Sequence, residues 1–262
     1  MSHSMSDALE VAHAMADAAR DAILPMFRTG LVSDDKGNGR FDPVTEADRA
    51  AEKAMRAVLD EHRPMDGILG EEFDDKPSQS GLTWVLDPID GTRGFISGTP
   101  TWGVLIALSD DTQVHLGIID QPYIGERFVG AGDQVAQMTG PLGPRPLKVR
   151  GTTSLAEATL FTTFPEIGRP EDRAGFERVA DQVKLVRYGC DCYAYALLAA
   201  GEIDLVIEAG LAAYDIQGPI GVVEAAGGLL TNWEGGPALH GGRALAAATT
   251  DLLSAARALL IT

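Results

Sequence analysis

The sequence predicts a mixed α/β (α+β) protein, and three observations predict it. An amphipathic helical period opens the chain, a run of short apolar strand signals follows, and beyond about residue 146 strands and helices alternate. The 262 residues, 45% of them hydrophobic, suffice for one large or two modest domains with a real core.

Residues 7–27 place Val11, Met15, Ala18, Ala19, Ala22 and Ile23 at helical spacing, which predicts the first helix. Residues 30–42 read as a polar, glycine-bearing loop. Thr45-x-x-Asp48 resembles a capping box and opens a second helix that ends before Pro64. Strand signals at 67–69, 83–86, 102–108, 114–119 and 127–129, with Asp110-Asp111 as a turn, predict an antiparallel meander. Pro88 is expected to end the strand before it, because proline cannot continue a central strand. Residues 138–146, rich in Pro and Gly, read as the linker between an N-terminal α+β domain, 1–145, and a C-terminal α/β domain, 146–262. In that second half, strands at 159–162, 184–187 and 205–207 alternate with helices at 172–183, at 190–200 and from Asp215 to Gly227-Gly228.

Composition excludes several function classes. A formal net charge of −17 opposes nucleic acid, whose binding needs clustered Lys and Arg, and disfavours an anionic membrane surface. No run approaches the roughly 18 apolar residues of a spanning helix. The N-terminus lacks a basic flank before an apolar core, so no signal peptide is expected and the protein reads as cytoplasmic. Cys190 and Cys192 are too close to pair readily and read as reduced thiols in packing positions. His3, His13, His62, His115 and His240 show no metal-ligand spacing and read as structural or surface residues. Trp84, Trp102 and Trp233 read as packing residues, and the glycine-rich 235–242 segment as a turn rather than a phosphate loop.

Chemistry concentrates in Trp84-Val85-Leu86-Asp87-Pro88-Ile89-Asp90-Gly91-Thr92. A buried strand ends in two aspartates three residues apart, and a helix can start at Gly91-Thr92. Hard oxygen ligands thus stand beside backbone N–H donors, which suits a divalent cation and a phosphate together. Taken singly, Gly70-Glu71-Glu72 are solvated acids, Asp215 after Tyr214 is a helix N-cap, and Asp48 with Thr45 is a capping pair. Their weight comes from combination.

Pro43-Val44-Thr45-Glu46-Ala47-Asp48, Gly70-Glu71-Glu72, Asp87-Pro88-Ile89-Asp90-Gly91-Thr92, and Tyr214-Asp215 with Ala225-Ala226-Gly227-Gly228 occur in the order seen in the inositol monophosphatase family. The resemblance spans nearly the whole chain, and Tyr214 stands where that family usually has Trp. It implies a layered α/β/α/β/α sandwich, often dimeric, that hydrolyses phosphate monoesters with Mg²⁺ and is inhibited by Li⁺ in many members. By matching motif positions, Glu71, Asp87, the Ile89 carbonyl, Asp90 and Asp215 would hold metal, and Asp48 would support a more loosely held ion. Glu71 and Thr92 would position the attacking water, and the Gly91 and Thr92 N–H groups would bind phosphate. Lys36 is a weak match to a loop lysine of the family.

The segment from Arg187 through Tyr188-Gly189-Cys190-Asp191-Cys192-Tyr193-Ala194-Tyr195 is expected to face the pocket, with Glu208 seven residues before Asp215. Asp191 and Glu208 would favour a cationic leaving group through charge-assisted hydrogen bonds, where neutral inositol needs mainly hydroxyl partners. The string resembles the histidinol-phosphatase branch of the family. An inositol monophosphatase or another small-molecule phosphatase is the alternative, as is a non-catalytic regulatory binding protein. Bisphosphate substrates would call for more Lys and Arg near the pocket than Arg93 and Arg187. The expected partners are a small phosphate monoester and a second copy of the chain.

Overall fold

The computed structural model describes residues 4–35 and 43–261. Helix α1 (Met5–Ile23) starts at a capping box built by Ser4 and Asp7 and gives way to a 3₁₀ turn, Leu24–Met26, where Pro25 lacks the N–H an α-helix needs. It buries Ala8, Val11, Ala12, Met15, Ala16, Ala19 and Ile23, a continuous stripe at helical spacing. A two-residue ribbon, β1 (Asp34–Asp35) with β2 (Pro43–Val44), precedes α2 (Glu46–His62), whose capping box is Thr45 with Asp48.

The first half then builds a seven-stranded sheet in simple sequential order: β3 (Gly67–Gly70), β4 (Thr83–Asp90), β5 (Gly103–Ser109), β6 (Val114–Gln121), β7 (Glu126–Ala131), β8 (Val135–Thr139) and β9 (Arg145–Pro146). β3 and β4 are parallel and every other pair is antiparallel. A short helix, α3 (Thr92–Ile96), leaves the end of β4. Residues 138–146, expected as a linker, instead carry the end of β8 and all of β9 on the sheet edge.

The second half forms a five-stranded mixed sheet in the order β11-β10-β12-β14-β13. Its members are β10 (Thr159–Thr162), β11 (Leu185–Tyr188), β12 (Leu205–Leu211), β13 (Leu229–Thr231) and β14 (Gly242–Ala247). Its helices are α4 (Pro170–Ala180), α5 (Cys192–Ala199), α6 (Ala213–Ala225) and α7 (Thr250–Leu260). β13, β14 and α7 lie beyond the elements expected from the sequence. Gly242-Arg243-Ala244-Leu245-Ala246-Ala247 is alanine-rich and carries no strand signal of its own; pairing with β12 and β13 on both sides makes it a central strand.

Three apolar clusters separate the layers. One lies between α1, α2 and the large sheet, a second between the two sheets around α5 and α6, and a third between the small sheet and α4 with α7. The stack is therefore α/β/α/β/α, and Trp84, Trp102 and Trp233 are fully buried in it.

Helix α6 lies unusually close to the large sheet. The Gly218 carbonyl sits against Gly117, and the Gly221 carbonyl against Gly130, so that a Cβ on either sheet glycine would overlap helix backbone. Gly130→Ala is expected to lower stability by about 2–3 kcal/mol, because backbone cannot yield as a side chain can. Chemical denaturation measures this, and an unchanged midpoint would refute the packing account.

Candidate active site

The site grows from an irregularity in β4. Asp87 pairs with Leu105 and Asp90 with Gly103, so β4 spends one residue more than β5 over the same interval. Pro88 therefore does not end the strand, as expected from its chemistry. It sits inside this bulge, beyond the last β3–β4 pair, Gly70 with Leu86, where no ladder hydrogen bond is required of it. In a regular strand residues three apart face opposite ways; the extra residue turns the two aspartates to one side. Carboxylate oxygens of Asp87, Asp90 and Asp215 lie within 4.8 Å of one another.

Asp215 arrives on the first turn of α6, and one of its oxygens accepts the Ala212 N–H at 2.7 Å. It is a helix-terminus acid and a site acid at once. Glu71 follows β3, the parallel neighbour of β4, which brings it within hydrogen-bond reach of Asp87. Its loop is pinned from α2. The fully buried Glu52 accepts the Glu72 N–H at 2.7 Å and the Arg56 Nε at 2.8 Å, and Gly70 leaves room for that carboxyl.

The turn after the bulge is internally bonded. The Ile89 N–H donates to Asp87 Oδ1 at 3.0 Å, and the Thr92 hydroxyl donates to the Ile89 carbonyl at 3.1 Å. Gly91 has φ +85°, and a Cβ there would meet the Asp191 carboxyl carbon at 2.8 Å. The start of α3 receives no side-chain cap.

Asp48 stands apart from this cluster and does not line the cleft. Its Oδ2 accepts from the Thr45 N–H at 2.8 Å and hydroxyl at 2.6 Å, while its buried Oδ1 has no hydrogen-bond partner. Burial, with Glu72 and Glu71 nearby, raises its pKa to about 6 against the two Thr45 bonds.

A cleft of about 930 Å³ opens over the cluster. It is lined by Glu71, Asp87, Ile89, Asp90, Gly91 and Thr92 from the large-sheet side. Asp191, Cys192 and Tyr195 of the α5 segment, Glu208 of β12, and Tyr214 with Asp215 line it from the other side. Burial and the neighbouring carboxylates push Asp87 and Asp90 well above the ordinary aspartate range. Such a group of acids is tolerable only protonated or neutralised by a cation. The donors are all oxygens, which fits a hard divalent ion.

Glu208 is buried and accepts from the Thr163 N–H at 2.6 Å, the Thr163 hydroxyl at 2.9 Å and the Thr162 hydroxyl at 3.3 Å. Burial nevertheless raises it to about 7. Asp191 holds a non-glycine φ of +46° at the start of α5 and makes no side-chain cap. Burial raises it to about 6, with Arg93 opposing.

Arg187 departs from expectation. It lies exposed on the edge strand β11, none of whose residues lines the cleft. Arg169 and Arg243 do line it, but both are engaged by Asp172, and further by Glu171 and Glu234 respectively. Among the described residues no histidine lines the cleft, and His3 and Lys36 lie outside the described residues. Phe164, under the Arg93 guanidinium at 5.3 Å, and Tyr195 also face the cleft. Tyr195 belongs to the segment expected to face the pocket, whereas Phe164, Thr163 and Glu52 carry no motif that marks them. Cys192, read as packing, donates its N–H to Asp90 Oδ2 at 2.6 Å. Burial and then Asp90 push its thiol well above the usual range.

The pattern describing the Inositol monophosphatase family matches residues 4–261. The bifunctional phosphatase IMPL2 of Arabidopsis thaliana, a chloroplastic protein, is 42% identical over 227 residues, 86% of this chain and 64% of its own length. The chain thus spans somewhat under two thirds of that relative. A histidinol-phosphatase of Mycobacterium tuberculosis is 37% identical over 94% of both chains. Among solved structures, an inositol monophosphatase from Zymomonas mobilis superposes with a TM-score of 0.88 at 39% identity, covering 99% of this chain and 100% of its own. No helix among the described residues is long and apolar enough to cross a membrane.

Proposed function

The chain belongs to the inositol monophosphatase family of phosphate-monoester hydrolases, and from that premise we propose that it releases phosphate from L-histidinol phosphate, with Mg²⁺ as its metal. The observation that carries the substrate is the pair of further acids, Asp191 and Glu208, in the same cleft as the three-aspartate cluster. A neutral polyol gains little from them. An alcohol bearing an ammonium and an imidazole gains two charge-assisted partners. The name of the Mycobacterium relative supports the same reading. Inositol monophosphate hydrolysis is the second reading, favoured by the likeness to the Zymomonas protein.

In this proposal Asp87, Asp90, Asp215, Glu71 and the Ile89 carbonyl hold the metal. Asp48, with its unpartnered oxygen, supports a looser ion. A bound divalent ion supplies charge neutralisation at the phosphoryl oxygens and lowers the pKa of a water. The chain's own groups do the positioning. The Thr92 proton is spent on the Ile89 carbonyl, so its oxygen is left to accept from the attacking water, beside Glu71. The Gly91 and Thr92 N–H groups receive the phosphoryl oxygens. Asp191 and Glu208 hold the cationic end of the leaving alcohol. Asp191 and Glu208 need their charges for this, so recognition strengthens as pH rises through about 6 and about 7.

A phosphate-release panel of histidinol phosphate, inositol monophosphate and a sugar bisphosphate tests the reading. The parent is expected to prefer histidinol phosphate. Asp191→Asn is expected to lower kcat/KM on that substrate by about 10- to 100-fold, the worth of a hydrogen bond to a charged group, and to spare the neutral substrate. Equal rates for variant and parent on histidinol phosphate would end the cationic-substrate reading.

A further inference from the structure

We propose that Cys192 is a positioning residue that fixes the orientation of the Asp90 carboxylate for its cation; the inference rests on the metal reading above. Three observations converge on it. The Cys192 N–H donates to Asp90 Oδ2 at 2.6 Å across 102 residues of sequence, from the inter-sheet helix layer to the large sheet. Helix α5 takes no side-chain cap from its own N-cap residue, Asp191, which is held at φ +46°. Asp90 serves that helix end instead.

The third observation concerns the sulfur. Asp90 stands in register with Gly103 on β5, and a Cβ at Gly103 would lie 2.7 Å from the Cys192 Sγ. The thiol thus fills the gap that Gly103 leaves directly behind Asp90, and lies against its carboxyl. An aspartate on an extended strand end can turn about its terminal torsion with little resistance. Backbone N–H and thiol together remove that freedom from a carboxylate that shares a cluster with Asp87 and Asp215. Groups that orient a ligand in this way affect cation affinity although they never touch the ion. A residue merely filling space would affect stability alone.

The test is calorimetric titration of the full chain with Mg²⁺ in the absence of substrate, alongside melting curves of the cation-free protein. Cys192→Ala keeps the backbone donor and removes the thiol; it is expected to weaken Mg²⁺ binding by about tenfold, beside the modest fall in apo melting temperature that emptying a buried position brings. Cys192→Ser retains a side-chain donor and is expected to stay within about threefold of the parent. Unchanged Mg²⁺ affinity in the alanine variant overturns the proposal, and so does a serine variant that loses as much as the alanine one. A parent that takes up Mg²⁺ but does not turn over histidinol phosphate defeats the substrate reading and leaves this inference standing. A parent that takes up no Mg²⁺ defeats both.

Discussion

Asp90→Asn is expected to lower kcat/KM for phosphate release by about a thousandfold or more, the scale of removing a principal electrostatic group from a transition state that depends on charge complementarity. The substitution is nearly isosteric, and the amide oxygen can still accept the Cys192 N–H, so the α5 segment keeps its anchor. What disappears is one negative charge among Asp87, Asp215 and Asp191, the neighbours that face it. The same change relieves repulsion in the cation-free protein. Its melting temperature is therefore expected to equal or exceed the parent's. Opposite movement of activity and apo stability separates a ligand from a structural residue. A variant that retains full rate would remove Asp90 from the metal assignment, and one that is inactive because it unfolds would refute the electrostatic account.

Much of this arrangement was legible in the residues. The apolar period of α1, the Thr45–Asp48 box and the strand spacing of the first half are local signals, and the structure builds elements close to where they point. The acidic motif was legible because Asp87 and Asp90 are near in sequence and flanked by turn chemistry. The features that escaped are those in which a distant partner decides. Pro88 looks like a strand terminator until the β5 register shows the bulge that accommodates it. Glu52 looks like one more surface acid on a helix, yet it is buried to hold the Glu72 N–H twenty residues on. Cys192 is a small buried side chain whose importance comes from Asp90 in another layer. Arg187 is close in sequence to cleft residues, yet its whole strand lies at the sheet edge away from the cleft, and the chain enters the site only at Asp191. Asp48 and Asp215 show that a capping reading and a site reading need not compete: each accepts an N–H at a helix start, while Asp48 keeps a buried oxygen without a hydrogen-bond partner and Asp215 joins the acidic cluster.

Removal of the cation is the second large effect. A chelator is expected to abolish turnover, and added Mg²⁺ to restore it. The stability consequence has a definite pH signature. Asp48 and Asp191 sit at about 6, Glu208 at about 7, and Asp87 and Asp90 are raised as well, all above the roughly 4 of an unfolded carboxyl. Where the folded value is the higher one, the folded state holds protons that the unfolded state has released. The stability this provides is complete below about pH 4 and is lost as pH rises through the folded values. The cation-free protein is thus expected to melt progressively lower from pH 5 to pH 8. A divalent ion binds the deprotonated acids of the folded chain and has no comparable site in the unfolded one, so its stabilisation grows over the same interval. The gap between loaded and chelated melting temperatures should therefore widen with pH. Parallel melting profiles from pH 5 to pH 8 would mean that these acids are neutralised by some other group, and the cluster would lose its claim to hold a metal.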